Sequence, residues 1–257
     1  MLDNLKQKCY TYFIKRKENK TLIDKRRKYF IALDNETANS ISFPLPYDTG
    51  WAVTDKHGNI YEQRSYVVYE IYCKEREKMK SAYYAEKLPQ YEADLKSGKR
   101  KLASIWTIRK QFIKDMEDYN TKIVCAYNMG FDRRALNNDI KYISTWGKWF
   151  FPKDTEFQCI WHMACSLIMN RPSYIKFAKE NNFISEKGNI LTNAEVCYKY
   201  ITKNLDFKES HTGLEDVLIE IAIMALCYRQ HKPFKKSIYS ACWRIVQNKR
   251  KEIEGVA

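Results

Sequence analysis

The sequence predicts an α/β protein in which a strand, a β-hairpin and then alternating helices and strands build one mixed sheet flanked by helices. Three observations lead there. Residues 29–36 form an apolar run that ends in carboxylates, with the alternation of a strand. Asp55-Lys-His-Gly58-Asn59 is turn chemistry between two strand-like runs, 49–54 and 60–72, so the second and third strands are antiparallel neighbours. Residues 122–127 are apolar, too short a run for an ordinary helix, and lead directly into a helical segment at 133–142.

Each element carries its own evidence. Residues 1–28 read as a basic helix or arm, with Leu2, Leu5, Cys9, Tyr12 and Phe13 near helical spacing. A polar link containing Pro44 and Pro46 follows the first strand. The charged stretch 74–101, broken by Pro89 and Gly98, predicts a helical insertion or lid. Leu102, Ile105, Trp106, Arg109, Phe112, Ile113 and Met116 fit an amphipathic helix. Thr192-x-x-Glu195 and Thr212-x-x-Glu215 are capping boxes, and the second should start a helix at Gly213 with a stripe of Leu214, Val217, Leu218, Ile221 and Ala225. Three units result: a basic arm (1–28), a body (29–228) with insertions near 74–101 and 178–207, and a basic tail or helix (229–257).

A chain of 257 residues, 45% hydrophobic and 14% aromatic, can bury a substantial core, which excludes disorder throughout. No run of 18 apolar residues and no signal-peptide pattern occurs, so a cytoplasmic location with no membrane association is expected. Eight cysteines without a framework spacing suit reduced, buried thiols. The absence of a P-loop pattern argues against an ATP-driven motor. The net charge of +14 is concentrated at the ends, with +7 in residues 1–28, +6 in 229–257 and +1 between. Such ends either solubilise the chain or bind a polyanion, and charge alone does not separate the two.

The candidate chemistry begins with Asp34-x-Glu36. On a strand these carboxylates share a face, where they repel unless a hard cation such as Mg²⁺ or Mn²⁺ lies between them. Asp115-x-Glu117 falls in a helical pattern and Asp154-x-Glu156 in a loop, so neither offers that arrangement. Asp132 falls in the first turn of a helix that Asn128 can cap, which by itself explains an acidic residue there. His211 lies in the loop before a helix whose first turn holds Asp216, and in isolation it is either a surface residue or a proton carrier. Cys159, His162 and Cys165 have the look of a zinc pattern. Positions i, i+3 and i+6 of a helix cannot converge on one ion, so core packing is expected.

Taken together, Asp34-x-Glu36-Thr37, Asn128-x-x-Phe131-Asp132 and His211-(four residues)-Asp216 resemble the DEDD exonuclease superfamily. Its histidine branch contains polymerase proofreading subunits, RNase T and oligoribonuclease. His211 alone among the four histidines has Asp five positions on, and Thr212 stands where the tyrosine branch would have Tyr. The resemblance implies an RNase H-like fold with a mixed five-stranded sheet, its second strand antiparallel. It also implies a two-metal 3′→5′ exonuclease using Mg²⁺ or Mn²⁺. Asp34, Glu36 and Asp216 would hold one ion, Asp34 would bridge to a second with Asp132, and His211 would be the base. Thr37, Asn128 and Phe131 would position the 3′-terminal nucleotide. The expected partner is a single-stranded 3′ end, DNA ahead of RNA, with a polymerase or other replication protein as a further candidate. The chain departs from the family in its basic ends, its two insertions and Ala38-Asn39 after Thr37, where Thr-Gly is frequent. The rival readings are a nucleic-acid-binding or replisome scaffold on this fold and an RNase H-like endonuclease.

Overall fold

A computed structural model describes residues 23–147, 149–234, 237–238 and 241–255, so residues 1–22 of the expected arm lie outside it. Its centre is a six-stranded sheet of order β4-β3-β2-β1-β5-β6. The strands are β1 (Tyr29–Ser40), β2 (Phe43–Asp55), β3 (Ile60–Val68), β4 (Lys101–Ala103), β5 (Ile123–Ala126) and β6 (Glu156–Cys159). β2 runs antiparallel to both β1 and β3, whereas the β1–β5, β5–β6 and β3–β4 pairs are parallel. The expected mixed sheet with an antiparallel second strand is present. Its sixth strand is the short edge strand β4, where the 74–101 insertion ends, and it takes Leu102 out of the expected amphipathic helix, which starts at Ile105.

The helices are α1 (Tyr69–Lys74), α2 (Arg76–Lys80), α3 (Leu88–Ser97), α4 (Ile105–Asp118), α5 (Met129–Ile143), α6 (Ile160–Ala164), α7 (Pro172–Glu180), α8 (Ala194–Thr202), α9 (Gly213–Arg229) and α10 (Trp243–Glu254). The hairpin at 55–59 forms as expected. Gly58 takes φ +83° and the Asp55 carboxylate accepts the backbone N–H groups of His57 and Asn59. The Pro44–Pro46 segment is a correction to the sequence reading. It is not a link: β1 continues to Ser40, turns through Ile41-Ser42, and both prolines lie within β2. A register shift between Glu36 and Thr37 loosens the ladder there, which is where strands admit proline.

Alternation along β1 divides the core. Tyr29, Ile31 and Leu33 pack with α4 and α5, together with Trp51, Ile108, Phe112 and Leu136. Phe30 and Cys125 join the second insertion and the late helices through Met163, Ile175, Cys197, Met224 and Val246. Between these, the small residues Ala32 and Ala52 receive Val217 and Ile221 of α9. Gly50 makes the approach closer still, because a Cβ there would sit 2.2 Å from the Leu214 nitrogen. α9 is therefore seated with its first turn directly on the β1–β2 pair. α10 is docked as well, since buried Gln247 exchanges two hydrogen bonds of 3.0 Å with the backbone of Ile190.

Candidate active site

β1 delivers Asp34 and Glu36 to the α9 face and Asn35 to the α5 face, as strand alternation requires. α9 begins at Gly213, as its capping box predicts, and Asp216 occupies the first turn. Asp216 is anchored on the protein side by the Ser210 hydroxyl and the Thr212 N–H, each donating at 3.2 Å. Thr212 gives its own hydroxyl to Glu215 at 2.8 Å, so the box is rewired toward Asp216. On the other side, Asp132 is buried in the first turns of α5 and accepts the Asn35 side-chain N–H at 3.0 Å. Asn35 in turn accepts the Thr49 hydroxyl at 2.9 Å. Asn128 stands at the N-cap position of α5 with φ +76°, but its side chain makes no capping bond.

The loop histidine turns inward. His211 has φ +51° and is stacked on Tyr84, with centroids 4.2 Å apart and planes 12° from parallel. Glu36, His211 and Asp216 each place one ligand atom within 4.8 Å of the others, and among the described residues no other group of three or more His, Cys, Asp or Glu does so. Asp34 and Asp132 lie beside this trio rather than in it. Their proximity is felt electrostatically: burial, then the charges of Glu220, Asp132, Glu36 and Asp216, push the Asp34 carboxyl well up. Glu36 is pushed up by burial and then by Asp216 and Asp48. Asp132 and Asp216 are raised too, chiefly by burial. The His211 imidazole is shifted the other way, because burial disfavours its cation.

No ion pair joins Asp34, Glu36, Asp132 or Asp216 to a Lys or Arg among the described residues. Two like charges 4.8 Å apart repel by roughly 3 kcal/mol at an effective dielectric near 20, before any burial cost. A divalent cation on hard oxygen donors and an imidazole would remove that repulsion, so the donor set fits a metal.

Of the residues expected to hold a nucleotide, Thr37 follows Glu36 on β1, half-buried. Asn128 and Phe131 stand at the start of α5, also half-buried, with the Arg134 guanidinium over the Phe131 ring at 5.5 Å. Of the rejected groups, Asp115 stays in its helix, whereas Glu156 opens β6 instead of lying in a loop and Cys159 ends that strand instead of sharing a regular helix with His162 and Cys165. Asp115 is buried against the Trp51 indole and Arg64, and Cys159, His162 and Cys165 are buried in the core.

Several residues at or behind the site escape the sequence reading. Glu220, one turn after Asp216 on α9, is buried and accepts the Tyr127 N–H at 3.1 Å. Its signal is present in the sequence, as a carboxylate at i+4 from Asp216 in an otherwise apolar helix. Glu209 is raised to about 8 by burial and then by Asp216. Tyr84 comes from the 74–101 insertion, whose contact with His211 no local pattern announces. That insertion also supplies Arg100, which is buried against Asp48, Asp94 and Glu215.

No family model and no curated protein matches the sequence. Solved structures do. The zinc-ion-bound form of the E. coli exonuclease I complex with single-stranded DNA is matched at TM-score 0.51 and 16% identity, over 80% of this chain and 42% of that one. The same enzyme with a 5cy-dT13 oligonucleotide is matched at TM-score 0.50 and 16% identity, over 80% and 41%. The chain thus spans less than half the length of the structures it resembles. What it shares with E. coli exonuclease I is the mixed α/β, RNase H-like fold.

Proposed function

We propose that this protein is a metal-dependent 3′→5′ exonuclease of the histidine type, acting on single-stranded nucleic acid, DNA ahead of RNA, and releasing nucleoside 5′-monophosphates. The convergence of Glu36 with His211 and Asp216 within 4.8 Å carries the reading, because it brings two segments far apart in the sequence, β1 and the start of α9, together through their acidic and imidazole groups. The fold shared with single-stranded-DNA-bound exonuclease I supports it.

In this reading Asp34, Glu36 and Asp216 would hold one divalent cation, and Asp34 and Asp132 would serve a second. Such ions would lower the pKa of water and offset charge on the scissile phosphate. The protein's own groups do the rest. Ser210 and Thr212 fix the Asp216 carboxylate by two hydrogen bonds, and Asn35 fixes Asp132. His211 accepts the proton of the attacking water on an unprotonated ring nitrogen, and burial keeps the imidazole neutral to lower pH than usual. Tyr84 holds the ring over the carboxylates. Phe131 packs on the terminal nucleotide while Thr37 and Asn128 hydrogen-bond to it. A polymerase partner rests on the sequence resemblance alone.

The test offers 5′-labelled DNA and RNA oligomers with Mg²⁺, Mn²⁺ or chelator and reads the ladder. Stepwise shortening from the 3′ end that needs the ion and disappears in Asp34→Ala is expected. Binding without shortening would favour the scaffold, and internal cuts or cleavage of a circle would favour an endonuclease. A second mechanistic reading follows from the same closeness: His211 is itself an ion ligand. If His211→Ala weakens Mn²⁺ binding as much as Asp216→Asn does, the ligand role is correct and the base must be sought elsewhere.

A further inference from the structure

Gly130, Arg133, Arg134, Asn137, Asn138 and Lys141 recur at i, i+3, i+4, i+7, i+8 and i+11, so α5 presents them as one stripe. With Trp149 as the facing wall they line a groove of about 200 Å³. Its floor is amide: Asn137 accepts the Phe150 N–H and Asn138 donates to the Pro44 carbonyl. Its sides are cationic. Arg133, Arg134 and Lys141 form no ion pair with a carboxylate among the described residues, unlike Arg64 and Arg100. Instead Arg133 lies over Phe157 at 4.8 Å, Arg134 over Phe131 at 5.5 Å and Lys141 over Trp149 at 5.3 Å. The Trp149 backbone is held by Arg109 while its side chain is 56% exposed, and Trp146 beside it is 92% exposed.

The geometry points to a binding groove for single-stranded polynucleotide along α5, taking phosphates on Arg133, Arg134 and Lys141 and a base on Trp149. Two features select that ligand. The cations are strung over two turns of helix, from Arg133 to Lys141, about 12 Å, which suits an extended polyanion rather than one phosphate. The exposed indole wants an unstacked base face, which a duplex does not offer. The groove begins in the first turn of α5, the turn whose opposite side carries the buried Asp132, and a strand whose end lies at the carboxylates would continue around that turn into it. Only that last point, the direction of the strand, rests on the exonuclease reading.

Binding of a 5′-labelled oligothymidylate, measured in chelator so that nothing is cleaved, tests the groove. Arg134→Ala/Lys141→Ala should weaken binding at least tenfold at low salt. It should also flatten the dependence of log affinity on log salt by about 1.4, the value for two phosphate contacts on a single strand. Trp149→Ala should weaken binding by roughly tenfold with no change of slope. Lys176→Ala/Lys187→Ala removes the same charge from exposed positions on and after α7, away from the groove, and should bind like the wild type. If the groove variants match that control in affinity and slope, the groove assignment is wrong. Wild-type protein that binds through the groove yet trims no end with Mg²⁺ or Mn²⁺ would sink the exonuclease reading and leave the groove standing.

Discussion

Glu36 and Asp48 face each other across the β1–β2 ladder, yet they belong to two differently neutralised clusters. Burial pushes Asp48 up, and the Arg100 guanidinium at 3.1 Å, the Tyr91 hydroxyl at 2.7 Å and the Gly213 N–H at 2.9 Å pull it back. Next to it Glu215, although burial acts against it, is held down to about 2 by Lys99 and Arg100. One strand away, Glu36, Asp216, Asp34 and Asp132 have no guanidinium or ammonium, and all are raised. The fold thus supplies its own cation to one set of carboxylates and leaves the other to be neutralised from solution. The first set is structural: it clamps the insertion and the first turn of α9 together behind the site. On the proposed function, the second gives up stability for a chemical capacity.

Substitutions on either side of the β1–β2 ladder should separate the two clusters. The largest effect should be catalytic. Asp216→Asn should cut hydrolysis by on the order of 10⁴-fold, measured with the labelled oligomer. In chelator the same substitution should raise the melting temperature, since it removes a repelled charge. Next comes Arg100→Met, which strands Asp48 without its cation and should cost about 3–5 kcal/mol in a urea titration. Adding Asp48→Asn to it should recover part of that loss, and no recovery would mean that Arg100 acts through packing alone.

A smaller effect concerns pH. The raised carboxyls bind protons more tightly folded than unfolded, so metal-free stability should fall as pH rises from the ordinary carboxylate range of about 4 through neutrality. Asp55 and Glu215, held at about 2, contribute stability that is lost only in strong acid. Metal-free protein should therefore melt highest on the acid side of neutrality, and saturating Mn²⁺ should remove the neutral-range slope. The smallest expected effect is at Tyr84. Tyr84→Ala hydrates His211, so its pKa rises and the acid limb of the rate profile moves to higher pH. Tyr84→Phe keeps the ring and should leave the limb in place, and equal profiles for the two would remove Tyr84 from the mechanism.

Much of the fold was legible because short-range rules agree with the tertiary outcome. The 55–59 turn, the run at 122–127 and the Thr212 box each specify structure within a few residues. The prolines at 44 and 46 misled because a register shift after Glu36 makes room for them, and that shift is a property of the pair of strands. At the site, Asp34, Glu36, Asp132, His211 and Asp216 were gathered by the resemblance of their order and spacing to a known family, since each alone had a plain structural explanation. Their actual grouping was not legible, because the inward turn of His211 depends on Tyr84, more than a hundred residues earlier in the chain. Glu220 was visible as a misplaced charge in an apolar helix, whereas Arg100 looked like one cation among many until Asp48 was placed beside it.

The central claim, that the unneutralised carboxylates are a divalent-cation site, is tested most directly by melting wild-type protein and Glu36→Gln across a Mn²⁺ titration at neutral pH. The wild type should begin below the variant in chelator, climb with Mn²⁺ as RT ln(1 + [L]/Kd) requires, and overtake a variant that barely responds. A wild-type curve that ignores Mn²⁺, or a variant that rises in parallel with it, would contradict the assignment.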